Sequence, residues 1–216
     1  MQRKEFLKQG FKLLGFATVA PLVTSCNKDT SSSCGTATPS ETAGPYPTKN
    51  PASYVIKDIR SDRTGVQLTV KITIKKASGS VLSGALVDIW HCDKDGNYSE
   101  YGSLTSVHFL RGRQATNTEG VAEFLTIFPG WYSGRAPHIH VHIYDASGNS
   151  LLVTQIAFPT DVCDTVYTTS SYYTKGKQDT SNASDNIFSD SLDCEMPTVA
   201  GSISGGYTLT HTITVS

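Results

Sequence analysis

One segment of the 216-residue chain, residues 129–144, reads PGWYSGRAPHIHVHIY. Its second half, residues 138–144, alternates polar residues with β-branched ones, which predicts a β-strand whose odd-numbered residues face a core. His138, His140 and His142 then share the opposite face, where successive side chains lie about 6.5–7 Å apart along the strand. Two adjacent imidazoles at that spacing can converge on one metal ion. They can equally form the polar face of an edge strand.

A second group of polar and aromatic residues lies upstream, in residues 87–99. There, an apolar run ends in an Asp/Gly/Asn turn, which places Tyr98 just past the end of the predicted strand. Tyr132 precedes the histidine strand in a similar way. Two tyrosines and two histidines thus stand at strand ends and adjoining loops, which favours a functional site.

The body of the chain is predicted to be all-β. Polar and apolar residues alternate, or apolar residues cluster, in six runs: 66–74, 85–90, 121–127, 138–144, 151–158 and 206–215. Turn signals rich in Gly, Ser and Asn separate them, which is typical of a two-sheet β-sandwich. Residues 161–196 are rich in Ser, Thr, Asp and Asn, and we expect long irregular connections there with one short helix.

The N-terminal residues indicate export. Basic residues precede an apolar run at 13–23, which is too short to span a bilayer and is typical of a signal peptide. We expect a lipoprotein signal peptide at 1–25, a lipidated Cys26, a polar tether at 26–40 and a folded domain at 41–216. An ordinary secretory signal cut elsewhere is the alternative. The expected location is the bacterial cell envelope, outside the cytoplasm, with the chain anchored to a membrane through Cys26.

Composition and cysteine count narrow the possible partners. A net charge of −1 gives no electrostatic basis for binding nucleic acid, so none is expected. Cys34, Cys92, Cys163 and Cys194 form an even set in an exported chain, which allows two disulfides. We favour Cys163 with Cys194, because both lie beyond the predicted site strands; Cys92 either pairs with Cys34 or stays a buried thiol.

Taken together, the motifs resemble those of the intradiol ring-cleavage dioxygenases. They are GNY at 96–98, PGWY at 129–132, RAPHIH at 135–140 and TQ at 154–155, and ETAGPY at 41–46 is similar to the start of that family's catalytic domain. The resemblance spans about 120 residues, and it implies a β-sandwich catalytic domain at 41–216.

The resemblance also implies a metal, a reaction and residue roles. A non-haem Fe(III) ion would be bound by four residues: Tyr98, Tyr132, His138 and His140. A phenolate is a hard donor that suits trivalent iron, and imidazoles complete a mixed oxygen and nitrogen set. The implied reaction uses O₂ to cleave the bond between the two hydroxyl-bearing carbons of a catechol-type substrate, giving a cis,cis-muconate-type diacid. Tyr132 would leave the metal when substrate binds, Arg135 would stabilise negative charge on the ring, and Gln155 would lie near the iron.

Other assignments stay open. His138, His140 and His142 could instead hold Zn²⁺ for a hydrolytic reaction. A lipid-anchored β-sandwich could also bind an aromatic or carbohydrate ligand without turnover. We place His142 in the pocket wall or behind the ligands, and we assign structural roles to three histidines without a motif: His91, His108 and His211. The pattern specifies neither the substituents of the substrate ring nor the oligomeric state.

Overall fold

The computed structural model describes residues 36–216, so the expected signal peptide, Cys26 and Cys34 lie outside the described residues. Within this range the chain forms two four-stranded sheets. The strands are β1 (Gln67–Lys76), β2 (Leu86–Trp90), β3 (Arg111–Ala115), β4 (Val121–Ile127), β5 (Ile139–Tyr144), β6 (Ser150–Ile156), β7 (Thr198–Ser202) and β8 (Gly206–Val215). The helices are α1 (Thr160–Thr169) and α2 (Leu192–Glu195), with 3₁₀ turns at Pro51–Ser53 and Asn182–Ser184. The expected two-sheet β-sandwich is confirmed.

The two sheets differ in how their strands pair. The first has the order β4-β1-β8-β7, in which β1 runs antiparallel to β4 and parallel to β8. The second has the order β3-β2-β5-β6 and is antiparallel throughout. Its register aligns Arg111, Trp90, His140 and Gln155 in one row across the four strands. Since directly paired residues lie on the same face of a sheet, this row fixes part of the site.

The core lies between the sheets and is built by the period of two along each strand. Strand β1 is an example, because its burial alternates along its length. Ile139, Val141 and Ile143 of β5 belong to the same cluster as the apolar residues of β1, and all three are fully buried. Burying each such side chain contributes roughly 1.5–3 kcal/mol. The histidines of β5 are therefore held on the outer face of the second sheet.

Six strands lie where the sequence predicts them, and their observed ends differ from the predicted ends by about two residues or less. Strands β3 and β7 were not predicted. The segment after β6 contains two helices, α1 and α2, rather than the single expected one. No helix among residues 36–216 is long and apolar enough to cross a membrane.

The favoured disulfide between Cys163 and Cys194 is wrong. Cys163 is a free thiol, fully buried on α1, where the helix directs it into the core beside Val166. Cys194 is disulfide-bonded. Cys92 is also a free, buried thiol, and burial raises its pKa to about 12.

Two loops meet backbone to backbone at Gly130. Its N–H donates to the Asp93 carbonyl at 3.1 Å, and a Cβ at this position would overlap the Lys94 carbonyl group. One of these loops leads to Tyr98 and the other to Tyr132. The missing side chain therefore sets how closely the two tyrosines approach.

We expect Gly130→Ala to destabilise the domain by about 1–3 kcal/mol, because a rigid backbone cannot move aside as a flexible side chain can. Urea unfolding measures the effect. Gly205→Ala is the matched control, since a Cβ there would meet only the Ser202 hydroxyl, at 3.1 Å. Equal stability of the two variants would show that the loops are not held together at Gly130.

Candidate metal centre

Four side chains from three parts of the chain converge on the outer face of the second sheet. His138 and His140 come from the start of β5, Tyr98 from the loop after β2, and Tyr132 from the loop between β4 and β5. Tyr98, His138 and His140 are each at most 5% exposed, and Tyr132 is half-buried. The structure thus brings together the four residues that the sequence singles out as ligands.

Their donor atoms meet around His138 Nε2. This atom lies 3.3 Å from Tyr98 Oη, 3.2 Å from Tyr132 Oη and 3.2 Å from His140 Nε2. First-row metal ions bind nitrogen and oxygen ligands at about 2.0–2.2 Å, so adjacent ligands of one ion are separated by roughly 3 Å. The distances between these atoms fit ligands that bind one and the same metal ion.

Hydrogen bonding fixes the protonation of His138. Its Nδ1 lies 2.6 Å from the Ala136 carbonyl oxygen, and because a carbonyl only accepts, Nδ1 carries the hydrogen. Burial lowers the pKa of His138 to about 3, so the ring is neutral at physiological pH. Nε2 then presents a single lone pair to three polar atoms. A backbone carbonyl bound to the far nitrogen is the usual support of a metal-binding histidine.

The phenols respond to the same burial. Burial raises the pKa of Tyr98 well above its ordinary value. It also raises the pKa of Tyr132, although the nearby Arg135 guanidinium partly offsets this. A bound cation reverses such a preference, because it stabilises the phenolate at close range. Among residues 36–216, no group of three or more His, Cys, Asp or Glu side chains is placed to hold a metal, so the tyrosines are needed to complete the donor set.

The His140 ring is held between two parts of the chain. Trp90 stacks on it with 4.9 Å between ring centroids and 2° between planes. On the 41–46 segment, Gly44 has a φ of +69°, and a Cβ there would lie 3.0 Å from His140 Cε1. Tyr46 of the same segment stacks on Tyr98 at 4.8 Å. The ETAGPY motif therefore covers the candidate centre.

Arg135 and Gln155 lie beside the four donors and bind each other. Arg135 Nη2 donates to Gln155 Oε1 at 2.7 Å, and Gln155 Nε2 donates to the Thr42 carbonyl at 2.9 Å. Arg135 Nε donates to Asp185 Oδ2 at 2.9 Å. The two residues thus join the centre to the 41–46 segment and to the chain beyond α1.

The remaining histidines lie away from the donors. The ring nitrogens of His142 are 2.8 Å from Ser150 Oγ and 2.8 Å from Tyr144 Oη, so both nitrogens bind side chains outside the donor cluster. His91 is buried, with Nδ1 bound to the Cys92 carbonyl and Nε2 to Thr126. His108 bonds to Glu100, and burial lowers the pKa of His211 to about 4.

Sequence reasoning missed Asp185, Phe188 and Arg111. Asp185 is fully buried against Arg135, and Phe188 lies edge-on to His138 with 6.5 Å between ring centroids. Arg111, also buried, donates to the Tyr46 carbonyl at 2.9 Å and so holds the covering segment. A buried aspartate inside a polar, irregular segment carries no periodic signal. The two arginines of strand β3 could have suggested ion pairs, but the sequence does not show which acidic residues are their partners.

A cavity of about 250 Å³ opens onto the two phenols. Six of the residues that line it are Tyr46, Asn97, Tyr98, Tyr101, Leu104 and Tyr132. This volume lies slightly below the range typical of sites for drug-sized ligands and suits a single aromatic ring. A larger cavity of about 420 Å³ lies beside β8 and touches none of the six predicted site residues.

Known proteins are similar to this chain in sequence and in fold. It is 32% identical over 123 residues to chlorocatechol 1,2-dioxygenase of Rhodococcus opacus, covering 48% of each protein. It is 31% identical over 109 residues to the protocatechuate 3,4-dioxygenase beta chain of Burkholderia cepacia, covering 45% of this chain and 46% of the relative. Among solved structures, the intradiol ring-cleavage dioxygenase from Tetranychus urticae matches with a TM-score of 0.76 and 27% identity, covering 83% of this chain and 94% of that one.

The family follows from these matches. The family model described as "Dioxygenase" matches residues 43–189, which is more than half of the chain. The chain therefore belongs to this dioxygenase family. More narrowly, it is a member of the intradiol ring-cleavage dioxygenases. The chain spans about half the length of the curated relatives it matches.

We expect Gly44→Ala to weaken metal binding by about 10- to 100-fold, the usual effect of disturbing the support of a ligand. An added Cβ would press on the His140 ring, and the positive φ adds strain. Competition with a chelator measures the affinity. Gly148→Ala is the control, because its φ of +88° carries similar strain with nothing within 4 Å. The same loss in both variants would assign the effect to backbone strain alone.

Proposed function

We propose that this protein is an Fe(III)-dependent dioxygenase that cleaves a catechol-type ring between its two hydroxyl-bearing carbons. The main support is the meeting of two phenols and two neutral imidazoles around His138 Nε2, within 3.3 Å. Family membership supports the same reading. The proposed ligands are Tyr98, Tyr132, His138 and His140, and these residues fit the metal by donor type and by spacing.

Iron bound there would withdraw electron density from the coordinated catechol and so make a ring carbon reactive toward O₂. The reaction balances without another reductant: one carbon–carbon bond breaks, both atoms of O₂ enter the product, and the ring becomes a diacid. The remaining requirements fall on the protein, which must bind the ring, accept its protons and stabilise its negative charge.

The chain's own residues match those requirements. Tyr132 borders the cavity and is half-buried, so it is the phenol better placed to give way to substrate and take up a proton. Arg135 supplies a fixed positive charge next to Tyr132. Gln155 holds one N–H of that guanidinium, at 2.7 Å. A preorganised charge of this kind stabilises negative charge on the ring in a water-poor site.

The cavity and the relatives support the proposed substrate class. The relatives named above are described as chlorocatechol and protocatechuate dioxygenases, and a cavity of about 250 Å³ suits one such ring. The Zn²⁺ alternative needs His142, whose ring nitrogens bond to Ser150 and Tyr144 instead. A binding module without turnover differs in one measurable way, because it consumes no oxygen.

We expect the purified chain to carry about one Fe(III), to absorb visible light through tyrosinate-to-iron charge transfer, and to consume O₂ with catechol. Tyr98→Phe should remove most of the colour and lower turnover by at least about 100-fold, because it deletes one proposed ligand. Iron analysis, visible absorption and an oxygen electrode measure these effects.

Tyr101→Phe is the matched control for that prediction. Tyr101 lies in the same loop and borders the same cavity, but its hydroxyl donates to the Pro47 carbonyl at 2.6 Å. The control should keep its colour and its iron. Equal absorption in the parent and in Tyr98→Phe would contradict the ligand assignment, and colour without oxygen uptake would favour a binding module.

We also propose that Cys26 anchors the protein to a membrane of the bacterial cell envelope, on the strength of the apolar run before it and the polar residues after it. Cys26→Ser should move the protein from the membrane fraction to the soluble fraction, or block its processing, because the lipid-bearing thiol is lost. Fractionation and mass spectrometry of the mature N-terminus test this. Cys92→Ser is the control, and a Cys26→Ser protein processed and sedimented like the parent would contradict the anchor.

A further inference from the structure

Asp185 is a buried carboxylate that the proposed chemistry does not use directly. It is fully buried, 50 residues along the chain from Arg135, and its segment precedes α2. Burial alone would raise its pKa, but hydrogen bonds from Arg135, Ala136 and Ile187 outweigh that effect and lower it. The carboxylate is thus held ionised next to the candidate centre.

The backbone fixes this carboxylate before it meets the guanidinium. Oδ2 accepts from the Ala136 N–H at 2.6 Å, and Oδ1 accepts from the Ile187 N–H at 2.9 Å. Two backbone donors on different oxygens leave the carboxylate little freedom to rotate. Oδ2 accepts from Arg135 Nε at 2.9 Å, and the fixed carboxylate sets the direction of that hydrogen bond.

The guanidinium is fixed in turn. A guanidinium has five N–H groups in one plane. Asp185 takes the one on Nε and Gln155 takes one on Nη2. These two bonds define the plane and the rotation of the guanidinium group. The N–H groups on Nη1 therefore point in a set direction. Arg135 also lies next to Tyr132, because its backbone N–H donates to the Tyr132 carbonyl at 3.3 Å.

From this geometry we propose that Asp185 is a positioning residue: it orients the Arg135 guanidinium toward the substrate side of the centre without touching the substrate. The inference rests on the proposed function for its effect on turnover. The orientation itself is a property of the protein and can be measured separately. Ala136 links Asp185 to the centre. Its N–H donates to Asp185, and its carbonyl accepts from His138 Nδ1 at 2.6 Å.

The first measurement is structural. In protein loaded with Ga³⁺, a diamagnetic trivalent ion, the Arg135 Nε–H should give a separate NMR signal that is protected from exchange with solvent. Asp185→Asn should remove that protection, because an amide cannot accept from all three donors. Asp190→Asn is the matched control, since Asp190 is an exposed aspartate in the same segment. Equal protection in the parent and in Asp185→Asn would overturn the proposal.

The second measurement is kinetic and uses a double-mutant cycle. Arg135→Ala should lower kcat by about 10²- to 10³-fold while catechol still binds anaerobically. Asp185→Asn should lower kcat at least about 10-fold, and adding it to Arg135→Ala should cost less than about threefold more, because both changes act through one group. The double variant removes both charges of the buried pair, so neither partner is left buried without its counter-charge. Multiplicative losses would overturn the proposal.

Chemical rescue separates positioning from a merely structural role. Guanidinium at about 20 mM, far below the concentrations that unfold proteins, should restore turnover of Arg135→Ala at least about 10-fold. It should restore none in the Arg135→Ala/Asp185→Asn variant, where the carboxylate that would receive it is gone. Methylammonium at equal ionic strength is the control. Equal rescue in both variants would contradict the role of Asp185. A parent protein that consumes no oxygen would refute the proposed function instead, and the NMR measurement would then decide whether Asp185 positions Arg135.

Discussion

The period of two along β5 is the constraint on which the site depends. Ile139, Val141 and Ile143 are fully buried between the sheets, so His138 and His140 must lie on the outer face. A slip of one residue would move both imidazoles into the apolar core and the three apolar side chains outward. The hydrophobic core therefore specifies the histidine positions more firmly than any contact within the site does.

An outer sheet face is ordinarily wet, and here it is covered. The 41–46 segment lies over His140 and Tyr98, and residues 185–188 lie beside Arg135 and His138. Covering limits the access of water to four polar groups, and polar atoms of three of them surround the lone pair of the fourth, His138 Nε2. That lone pair can accept one hydrogen bond only, and burial disfavours ionising the phenols. A trivalent cation would satisfy all four groups at once, which is why such a donor set suits iron better than it suits a hydrogen-bonded core.

The sequence predicted the strands that bury apolar residues and missed those that do not. Strand β4 was predicted to the residue because its apolar residues alternate with polar ones. Strand β3 reads RGRQA, and its two arginines pair with Glu100 and Asp88, partners distant in the chain. Strand β7 reads TVAGS, is largely exposed and lies at a sheet edge. Neither strand needs the alternation that a single sequence can reveal. The disulfide prediction failed for a related reason, since spacing along the chain does not say which face of α1 carries Cys163.

The residues of the candidate site also differ in whether the sequence could reveal them. The tyrosines and histidines stand in short local motifs, and a period of two places the histidines on one face, so the sequence could group them. The bond between Arg135 and Gln155 depends on the register of β5 with β6 and on the turn before β5, and the bond to Asp185 crosses 50 residues. Residues 170–196 look like a polar linker by composition, yet they contribute Asp185, Phe188 and the buried Glu195. Such a segment is held by a few specific contacts rather than by a repeating apolar face, so its polar composition conceals how much of the site it builds. The candidate site is thus built jointly by regular strands, which set the positions of its side chains, and by irregular segments, which cover it and fix its charged groups.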